Sequence, residues 1–418
     1  MMNFLTVKTA EEVLQMVESF EPLDSERVDL YSAPGRILAE AITAPESVPH
    51  FNRALMDGFA VRARDTFGAS ESQPGLLQFG GEVRMGEASR LELSPGSGVA
   101  IPTGGMLPAG ADSVVMIEHT SRLDSETIEI MKPAAPGENV LMAGEDIPCG
   151  EAVFSAGKLL RPQDIGALAA LGIDSVSVYR KPRVAILSTG DEIVPVPTTP
   201  LPPGKIRDIN SFTLAAQISE VGAVPGTVER VGDDLDSLVR ACRLALEDHD
   251  VILLSGGSSV GVRDLTVSIL DFLPGAELLV HGVAVRPGKP TILARVGAKI
   301  LWGLPGHPIS AMTICRTFVL PCLSALQGLR EKPVWKELDA EQAVLTRRVP
   351  SVHGRTDYVP VVLSKEGEDL AATPVFGKSA MISALTKSDG YIVIPAHEEG
   401  LDAGSAVKVH LFHSNFLR

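Results

Sequence analysis

The stretch Val184–Glu192, which reads VAILSTGDE, indicates the class of fold in the middle of this chain. Four consecutive apolar residues are followed by two hydroxyl residues, a glycine and two acids. Two later stretches repeat this plan: Val251–Gly261 reads VILLSGGSSVG, and Ile300–Pro308 reads ILWGLPGHP. Short continuous apolar runs are typical of strands that are buried on both faces. We therefore predict a buried sheet whose strands end in polar loops that contain glycine.

Helical patterns lie between these strands, over Ser211–Val221, Leu235–Glu247 and Asp264–Phe272. Strands that alternate with helices predict a parallel, doubly wound sheet covered by helices on both faces, which is a three-layer α/β domain. We assign residues 181–330 to this domain. Ligands of such sheets bind beyond the carboxyl ends of the strands. The three polar loops are therefore expected to form a site at one edge of the sheet.

The flanking regions have a different texture. Thr9 and Glu12 form a capping box ahead of a first helix, and Pro162 suits the first position of a second helix. Between them, short apolar runs alternate with glycine and proline, which favours short strands. The chain after the α/β domain returns to short alternating runs, typical of a small β-barrel or sandwich. We predict an α/β multidomain protein with three further parts: an elongated, discontinuous α+β domain (1–45 with 147–180), an inserted β-rich module (46–146) and a C-terminal β-barrel-like domain (331–418).

Composition excludes several classes of function. The 418 residues carry a formal net charge of −15 and 5% aromatics, so nucleic acid and anionic membranes, which require a basic face, are not expected partners. The N-terminus lacks the pattern of a signal peptide, and no uninterrupted apolar run approaches 18 residues. Four scattered cysteines predict buried thiols at Cys315 and Cys322 rather than a disulfide framework. We expect a cytoplasmic protein.

The predicted edge of the sheet carries the residues of a phosphate site. Glycine-rich backbone in Ser255–Gly261 can approach an anion, and a helix expected to start near Asp264 would add its positive end. The loop is neither a P-loop nor a dinucleotide fingerprint, and taken alone it could be a plain turn. Carboxylates beside a phosphate repel it unless Mg²⁺ intervenes. The predicted substrate contacts in these loops are Thr189, Asp191, Ser255, Gly256, Gly257, Ser259 and Gly261, with Glu192 and Asp264 as the metal ligands. Arg286 and Lys289 lie on a stiff turn, which either is an ordinary solvated turn or clamps a phosphate or another oxyanion.

Several motifs in one order resemble a known family, the molybdopterin molybdenumtransferases, to which the E domain of gephyrin is related. The resemblance covers nearly the whole chain. It is carried by Ala54–Val61 (ALMDGFAV), Pro102–Gly104 (PTG), Gly144–Ile147 (GEDI), Ser188–Glu192 (STGDE), Ser255–Gly261 (SGGSSVG), Pro287–Pro290 (PGKP) and Gly303–Pro308 (GLPGHP).

The resemblance implies an elongated homodimer with four domains per subunit. It implies insertion of molybdate into the dithiolene of adenylylated molybdopterin, with release of AMP and assistance by Mg²⁺. The active site would lie between the α/β domain of one subunit and the β module of the other. The enzyme that adenylylates molybdopterin would be the upstream partner.

The resemblance also implies roles for individual residues. It implies catalytic roles for Asp57, Asp146, Glu192 and Asp264. Asp191 and Asp233 would join Glu192 and Asp264 around the phosphates, and Thr103 and Glu145 would join Asp57 and Asp146 from the opposing module. Arg286 and Lys289 would hold molybdate or phosphate, and Pro305 and Pro308 would shape the pocket wall. In the tail, Arg355 and Ser379 match positions near the site.

The chain departs from the family pattern at three places. Leu141–Ala143 lacks an arginine that is usual before Gly144, Ala54 stands where serine is common, and Gly282 stands where lysine is frequent. Three alternative functions stay open: adenylylation of molybdopterin, a non-catalytic molybdopterin-binding scaffold, and a general Mg²⁺-dependent nucleotide pyrophosphatase.

Overall fold

A computed structural model of the chain describes residues 7–256, 260–329, 340–367 and 369–412, without the side chains of residues 260–264 and 366. Its N-terminal part contains two α-helices, α1 (Ala10–Glu18) and α2 (Pro162–Ala170). It contains twelve strands: β1 (Ser25–Asp29), β2 (Ile42–Thr43), β3 (Arg53–Ala54), β4 (Gly58–Val61), β5 (Gly75–Glu82), β6 (Ser97–Ile101), β7 (Ser113–Met116), β8 (Thr120–Arg122), β9 (Thr127–Ile130), β10 (Val140–Leu141), β11 (Ala152–Phe154) and β12 (Ser175–Tyr179).

Both predicted helix starts in this part are confirmed. Thr9 Oγ1 accepts the N–H of Glu12 and the Glu12 carboxylate accepts the N–H of Thr9, which satisfies two N–H groups that the first turn of α1 leaves free. Pro162 is the first residue of α2, and Gly172 follows that helix with φ +71°, a conformation that favours glycine.

Strands from before and after the β module pair with each other. β1 pairs antiparallel with β12, and β2 with β11, so the chain leaves this region and returns to it. The excursion, within residues 46–146, forms a six-stranded sheet in the order β7-β4-β6-β5-β9-β8 and a two-stranded ribbon of β3 with β10. β4 is buried along its whole length, because the sheet packs on both of its faces.

The central part is the predicted α/β domain. Its strands are β13 (Arg183–Thr189), β14 (Ile193–Val194), β15 (Ile206–Arg207), β16 (Val224–Val231), β17 (Val251–Gly256), β18 (Ala276–His281), β19 (Val285–Arg286), β20 (Ile292–Val296) and β21 (Lys299–Leu304). Its helices are α3 (Asn210–Glu220), α4 (Leu235–Asp248), α5 (Val260–Leu270), α6 (Pro308–Ile314) and α7 (Leu320–Leu326).

The main sheet of this domain has the order β16-β13-β17-β21-β20-β18. The first four strands are parallel, whereas β20 runs antiparallel to both of its neighbours, β21 and β18, so the sheet is mixed at one edge. Apolar clusters lie on its two faces: Val184, Ile186 and Trp302 belong to one, and Ala185 and Leu187 to the other. The continuous apolar runs thus mark strands buried on both faces, as predicted.

A continuous helical stretch, Pro308–Leu326, packs against this sheet. It consists of α6, one turn of π-helix over Cys315–Val319, and α7. Among the described residues it is the one helix long and apolar enough to cross a membrane, but 72% of its apolar window is buried within the protein. Cys315 and Cys322 are fully buried in it, as predicted. The stretch is therefore a core helix, and α1 packs on its α7 part.

The C-terminal part forms the predicted small barrel. Its strands are β22 (Ala340–Leu345), β23 (Val349–Pro350), β24 (Thr356–Glu366), β25 (Asp369–Pro374), β26 (Gly390–Ile394), β27 (Gly400–Leu401) and β28 (Ala406–Leu411). The described residues also include a short helix, α8 (Ser383–Thr386). The pairings β24-β25-β22-β28-β26 close when β26 pairs back on β24. β19 of the α/β domain adds to β24 in parallel, opposing Arg286 to Asp357. This pairing joins the barrel to the α/β domain.

Candidate functional site

Three carboxylates meet at the carboxyl ends of β13 and β16. Asp191 and Glu192 follow β13, and Asp233 follows the neighbouring β16. The backbone N–H of Asp233 donates to Asp191 Oδ1 over 3.3 Å, so the two loops touch. Burial raises the pKa of Asp233, and the negative charges of Asp191 and Glu192 raise it further. The structure therefore places these three predicted site residues side by side.

One oxygen of this acidic group has no partner. Asp233 Oδ1 is buried and accepts no hydrogen bond. A buried carboxylate oxygen beside two other acids suits a cation. Within the described parts of the chain, no three His, Cys, Asp or Glu side chains are arranged to hold a metal ion by themselves. Mg²⁺ usually combines one or two carboxylates with waters and substrate phosphates, so the acids fit a metal that binds together with a phosphate-bearing substrate.

The raised pKa of Asp233 leads to a stability prediction. Because its pKa is raised in the folded protein, Asp233 favours folding only below the pKa of an unfolded aspartate, about 3.9, and opposes folding as the pH rises through the higher folded value. Without Mg²⁺, Asp233→Asn is therefore expected to raise the Tm by about 1–2 °C at about pH 7 and to have a smaller effect at about pH 4. Thermal unfolding in the presence of a chelator measures this.

The neighbouring Asp234 provides the matched control. A hydrogen bond from the Ser237 N–H lowers the pKa of Asp234, so its ionised form is favoured by folding. Asp234→Asn is therefore expected not to raise the Tm at neutral pH. If Asp233→Asn lowered the Tm, and by the same amount at both pH values, the ionised carboxylate of Asp233 would not be destabilising.

Two buried polar residues behind the strand ends were not singled out by the sequence patterns. Asp208 accepts the N–H and the hydroxyl of Ser211, at 3.1 and 2.6 Å. Asn210 Nδ2 donates to Ser255 Oγ and to the carbonyl of Gly306, both at 2.9 Å. The side chain of Asn210 thus ties the end of β17 to the loop after β21. The available signal was the pattern D-x-N-S over residues 208–211, where α3 begins, and this pattern is also that of an ordinary helix start.

The glycine-rich loop is described only in part. Thr189 and Gly256 lie opposite each other at the ends of β13 and β17, and Ser255 is fully buried. Gly257 and Ser259 lie outside the described residues. Gly261 and Asp264 are described only as part of the helix α5, without the surroundings of Gly261 or the side chain of Asp264. The phosphate contacts and metal ligation assigned to them stay predictions.

One expectation about this loop was wrong. The helix was expected to start near Asp264, but α5 starts at Val260, so Asp264 lies one turn inside it. Glycine within a helix costs only about 1 kcal/mol, and packing of α5 on α4 outweighs the preference of Gly261 for a turn.

A second group of predicted residues lines a cleft between the α/β domain and the barrel. We call it the cation cleft; its volume is about 950 Å³. Arg286, Lys289, Pro305, Arg355 and Ser379 all line it, although they are spread over 94 positions of the chain. Pro308 is the first residue of α6, directly after the cleft-lining His307. Parallel pairing of β19 with β24 brings the arginines of the two domains together.

Three further residues of the cation cleft were missed. Lys378 adds a fourth cation to Arg286, Lys289 and Arg355. Asp357 is the only carboxylate among the described residues that line the cleft, so the lining has a net charge of +3. The whole chain, in contrast, has a net charge of −15. His307 Nδ1 lies 2.7 Å from Ser379 Oγ. Lys378 was adjacent to the predicted Ser379, but nothing in a linear pattern indicates that the strand Thr356–Glu366 borders the Arg286 turn. The charge of this lining is complementary to an anion.

Asp57 and Thr103 form the polar centre of the β module. Asp57 Oδ1 accepts the backbone N–H of Thr103 at 2.6 Å and its hydroxyl at 2.8 Å. These two hydrogen bonds lower the pKa of the exposed Asp57, with the backbone N–H as the larger cause. In the pair that the sequence predicted, Thr103 therefore holds the Asp57 carboxylate in place, ionised and open to solvent.

Glu145 and Asp146 lie on an adjoining turn of the module. Glu145 Oε2 accepts the N–H of Met142 at 2.8 Å, and the Asp146 N–H donates to Val48 O at 3.2 Å. β3 connects this turn to the Asp57–Thr103 pair. It pairs with β10, which precedes the turn, and its Ala54 carbonyl accepts the N–H of Gly104, next to Thr103.

The β module is separate, within the described part of one chain, from the strand-end acids, by which we mean Asp191, Glu192 and Asp233. Among the described residues, no hydrogen bond or ion pair joins residues 46–146 to residues 183–412. Asp57, Thr103, Glu145 and Asp146 thus form one polar surface, and the strand ends and the cation cleft form two others on the remaining domains.

Three family models together match most of the chain. They are the MoeA N-terminal region (domains I and II) over residues 5–172, a probable molybdopterin-binding domain over 185–325, and the MoeA C-terminal region (domain IV) over 342–412. A putative molybdopterin biosynthesis protein of Methanocaldococcus jannaschii is 35% identical over 98% of both chains. A molybdopterin molybdenumtransferase of Bacillus subtilis is 36% identical over 93% of this chain and 90% of its own.

A solved structure has the same architecture. The MoeA protein of molybdopterin biosynthesis from Pyrococcus horikoshii superposes with a TM-score of 0.82 and 31% identity, over 97% of this chain and 100% of that one. The mixed α/β sheet, the inserted module and the closed C-terminal barrel therefore follow a known multidomain plan. With full-length relatives above 30% identity, this chain belongs to the MoeA family of molybdopterin molybdenumtransferases.

Proposed function

We propose that this chain inserts molybdate into the dithiolene of adenylylated molybdopterin and releases AMP, as a transferase of molybdenum cofactor biosynthesis. The observation that carries the proposal is the placement of a cleft of net charge +3 beside the α/β domain of a chain with net charge −15. A tetrahedral dianion such as molybdate matches that charge. The strand-end acids, in contrast, suit a phosphate-bearing substrate that brings a metal.

Each polar surface has a role in this proposal. Thr189, Ser255 and the glycine-rich backbone would bind phosphate oxygens of the substrate, and the cation cleft would hold molybdate next to the dithiolene. Glu192 and Asp264 would hold Mg²⁺, with Asp191 and Asp233 close by. Bound Mg²⁺ would act as a Lewis acid on the phosphoanhydride that releases AMP.

The geometry of the β module supports a site shared between two subunits. Among the described residues, no hydrogen bond or ion pair joins the ionised Asp57 to the strand-end acids of its own chain. Exposed apolar side chains near Asp57 in the module include Leu55, Met56 and Met142. An apolar rim around a polar centre suits coverage by another protein surface. We propose a homodimer in which this surface meets the α/β domain of the partner.

The remaining parts of the proposal concern context. The adenylylated substrate requires an upstream enzyme that adenylylates molybdopterin, and we propose that enzyme as a partner. We also propose Mg²⁺ dependence and a cytoplasmic location. Neither nucleic acid nor a membrane is a proposed partner, because the net charge of −15 opposes binding to polyanionic surfaces.

The test is AMP release from adenylylated molybdopterin with Mg²⁺, with and without molybdate. We expect release that molybdate stimulates and that a chelator of Mg²⁺ abolishes. Asp57→Ala is expected to lower the rate about 100-fold or more, the usual effect of losing a preorganised charged group. Asp124→Ala is the matched control, because Asp124 is also an exposed module aspartate that accepts backbone N–H groups but lies in the β8–β9 turn.

The alternatives predict different outcomes. An adenylyltransferase would consume ATP with unmodified molybdopterin. A scaffold would bind the pterin tightly and release no AMP, with or without molybdate. A general pyrophosphatase would cleave unrelated dinucleotides without a pterin.

A further inference from the structure

A single buried carboxylate holds two arginines in the wall of the cation cleft. The side chain of Asp357 is 3% exposed. Arg355 donates to it through Nε at 2.8 Å and Nη2 at 3.3 Å, a two-pronged contact. Arg286 Nη1 lies 3.6 Å from Asp357 Oδ2 and comes from the other domain. One carboxylate therefore bridges guanidinium groups from the α/β domain and from the barrel.

The two arginines keep donors for a ligand. A guanidinium has five N–H groups, and Arg355 uses two of its nitrogens toward Asp357. The side chain of Arg355 is 32% exposed and that of Arg286 is 62% exposed, and both residues line the cleft. Long arginine side chains lose rotamer entropy when they bind, and a fixed guanidinium loses less. Asp357 thus holds them ready for an anion.

We propose that Asp357 is a positioning residue that presents Arg355 and Arg286 to a tetrahedral dianion in the cation cleft. The inference rests on the proposed function, which assigns this cleft to molybdate. It assigns Asp357 no contact with the substrate. Asp357 acts only through the two arginines, at the seam where β19 pairs with β24.

The sign of a substitution separates this role from simple electrostatics. Asp357 is the one carboxylate among the described residues that line the cleft, so its neutralisation raises the local charge from +3 to +4. If the arginines stayed in place, Coulomb attraction would then make Asp357→Asn bind a dianion more tightly. If Asp357 positions them, the same change weakens binding. A positioning role therefore predicts the opposite of the charge effect.

Calorimetric titration with molybdate, and with sulfate as a second tetrahedral dianion, tests the proposal on the full chain. We expect Asp357→Asn to weaken molybdate binding about tenfold, the effect of about one charge-assisted hydrogen bond. Asp357→Glu keeps the net charge but moves the carboxylate by one methylene, and we expect it to weaken binding as well. If thermal unfolding shows that Asp357→Asn does not fold, Asp357→Glu still tests the positioning role.

Asp402→Asn is the matched control. Asp402 pairs with Arg348 in the same barrel at 3.3 Å, but it is 82% exposed and does not line the cleft. The change is chemically identical and alters the total charge equally, so we expect the affinity for molybdate to stay within about twofold of wild type.

Each result has one meaning. Tighter binding by Asp357→Asn together with unchanged binding by Asp357→Glu would overturn the positioning role and leave the proposed function intact. Weaker binding by both Asp357→Asn and Asp357→Glu, with Asp402→Asn within about twofold of wild type, would support the positioning role. Absence of molybdate binding by the wild-type protein would refute the oxyanion site itself, and this inference with it.

Discussion

A purified heterodimer of one Asp57→Ala subunit and one Glu192→Ala subunit is expected to release AMP at about half the wild-type rate, although each variant homodimer loses about 100-fold or more. In a site built from two subunits, the heterodimer contains one site with both substitutions and one site with neither. Two affinity tags allow the heterodimer to be isolated after co-expression. The readout is AMP release per dimer.

The reason lies in the separation seen within one chain. Asp57 is held by Thr103 in the β module, while Glu192 follows β13, and no hydrogen bond or ion pair joins the two regions among the described residues. If the site formed within one subunit, every site of the heterodimer would carry one substitution. The heterodimer would then be as inactive as its parents.

The control uses two residues of the same surface. Asp57 and Asp146 both belong to the β module, so a heterodimer of Asp57→Ala with Asp146→Ala contains no intact site in either arrangement. It is expected to stay inactive. Recovery in this control would show that activity of a heterodimer does not require a site with both acids intact, which would refute the argument for a site shared between subunits, and failure to isolate any heterodimer would contradict the proposed homodimer.

The strand-end site could be predicted from the sequence because parallel strands impose it. Once VAILSTGDE and VILLSGG are read as buried parallel strands, Thr189 and Gly256 must lie at the same edge of the sheet, and the register confirms that they are opposite each other. The limits of α5 were less predictable, since Gly261 reads equally well as a turn or as a tolerated helical residue.

The cation cleft shows what linear patterns lack. Arg286 was noticed because it belongs to a compact basic turn, whereas Asp357 lies 71 positions later on an ordinary barrel strand. Their contact depends on a short parallel pairing of β19 with β24 across two domains. No local propensity encodes such a pairing, because its stability comes from the packing of the two domains. The family resemblance supplied Arg355, but not the carboxylate that holds it.

The same limit applies to Asn210. Its pattern is that of a residue at a helix start, and α3 does begin there. Its amide instead bridges Ser255, near the end of β17, and Gly306, which follows β21. The function of such a residue depends on the order of strands, β13-β17-β21, which a sequence indicates only as a class of topology.

Gly256→Ala is expected to destabilise the protein by about 3 kcal/mol or more and to abolish AMP release. Gly256 ends β17 opposite Thr189, and a methyl group there would lie 2.0 Å from the Thr189 carbonyl oxygen and 2.1 Å from its hydroxyl. Backbone atoms of a central strand cannot move aside without breaking the sheet, so β13 and β17 would separate at the edge that carries the site.

Gly166→Ala is the matched control for the same chemical change. Gly166 lies inside α2, and a methyl group at its Cα would meet nothing within 4 Å. Alanine is the better helix former by about 0.8–1.0 kcal/mol, so this variant is expected to be slightly more stable and fully active. Urea unfolding and AMP release measure both variants. If Gly256→Ala kept wild-type stability and turnover, the strand ends would not be packed as closely as the β13–β17 register requires, and the site built on them would have to be placed elsewhere.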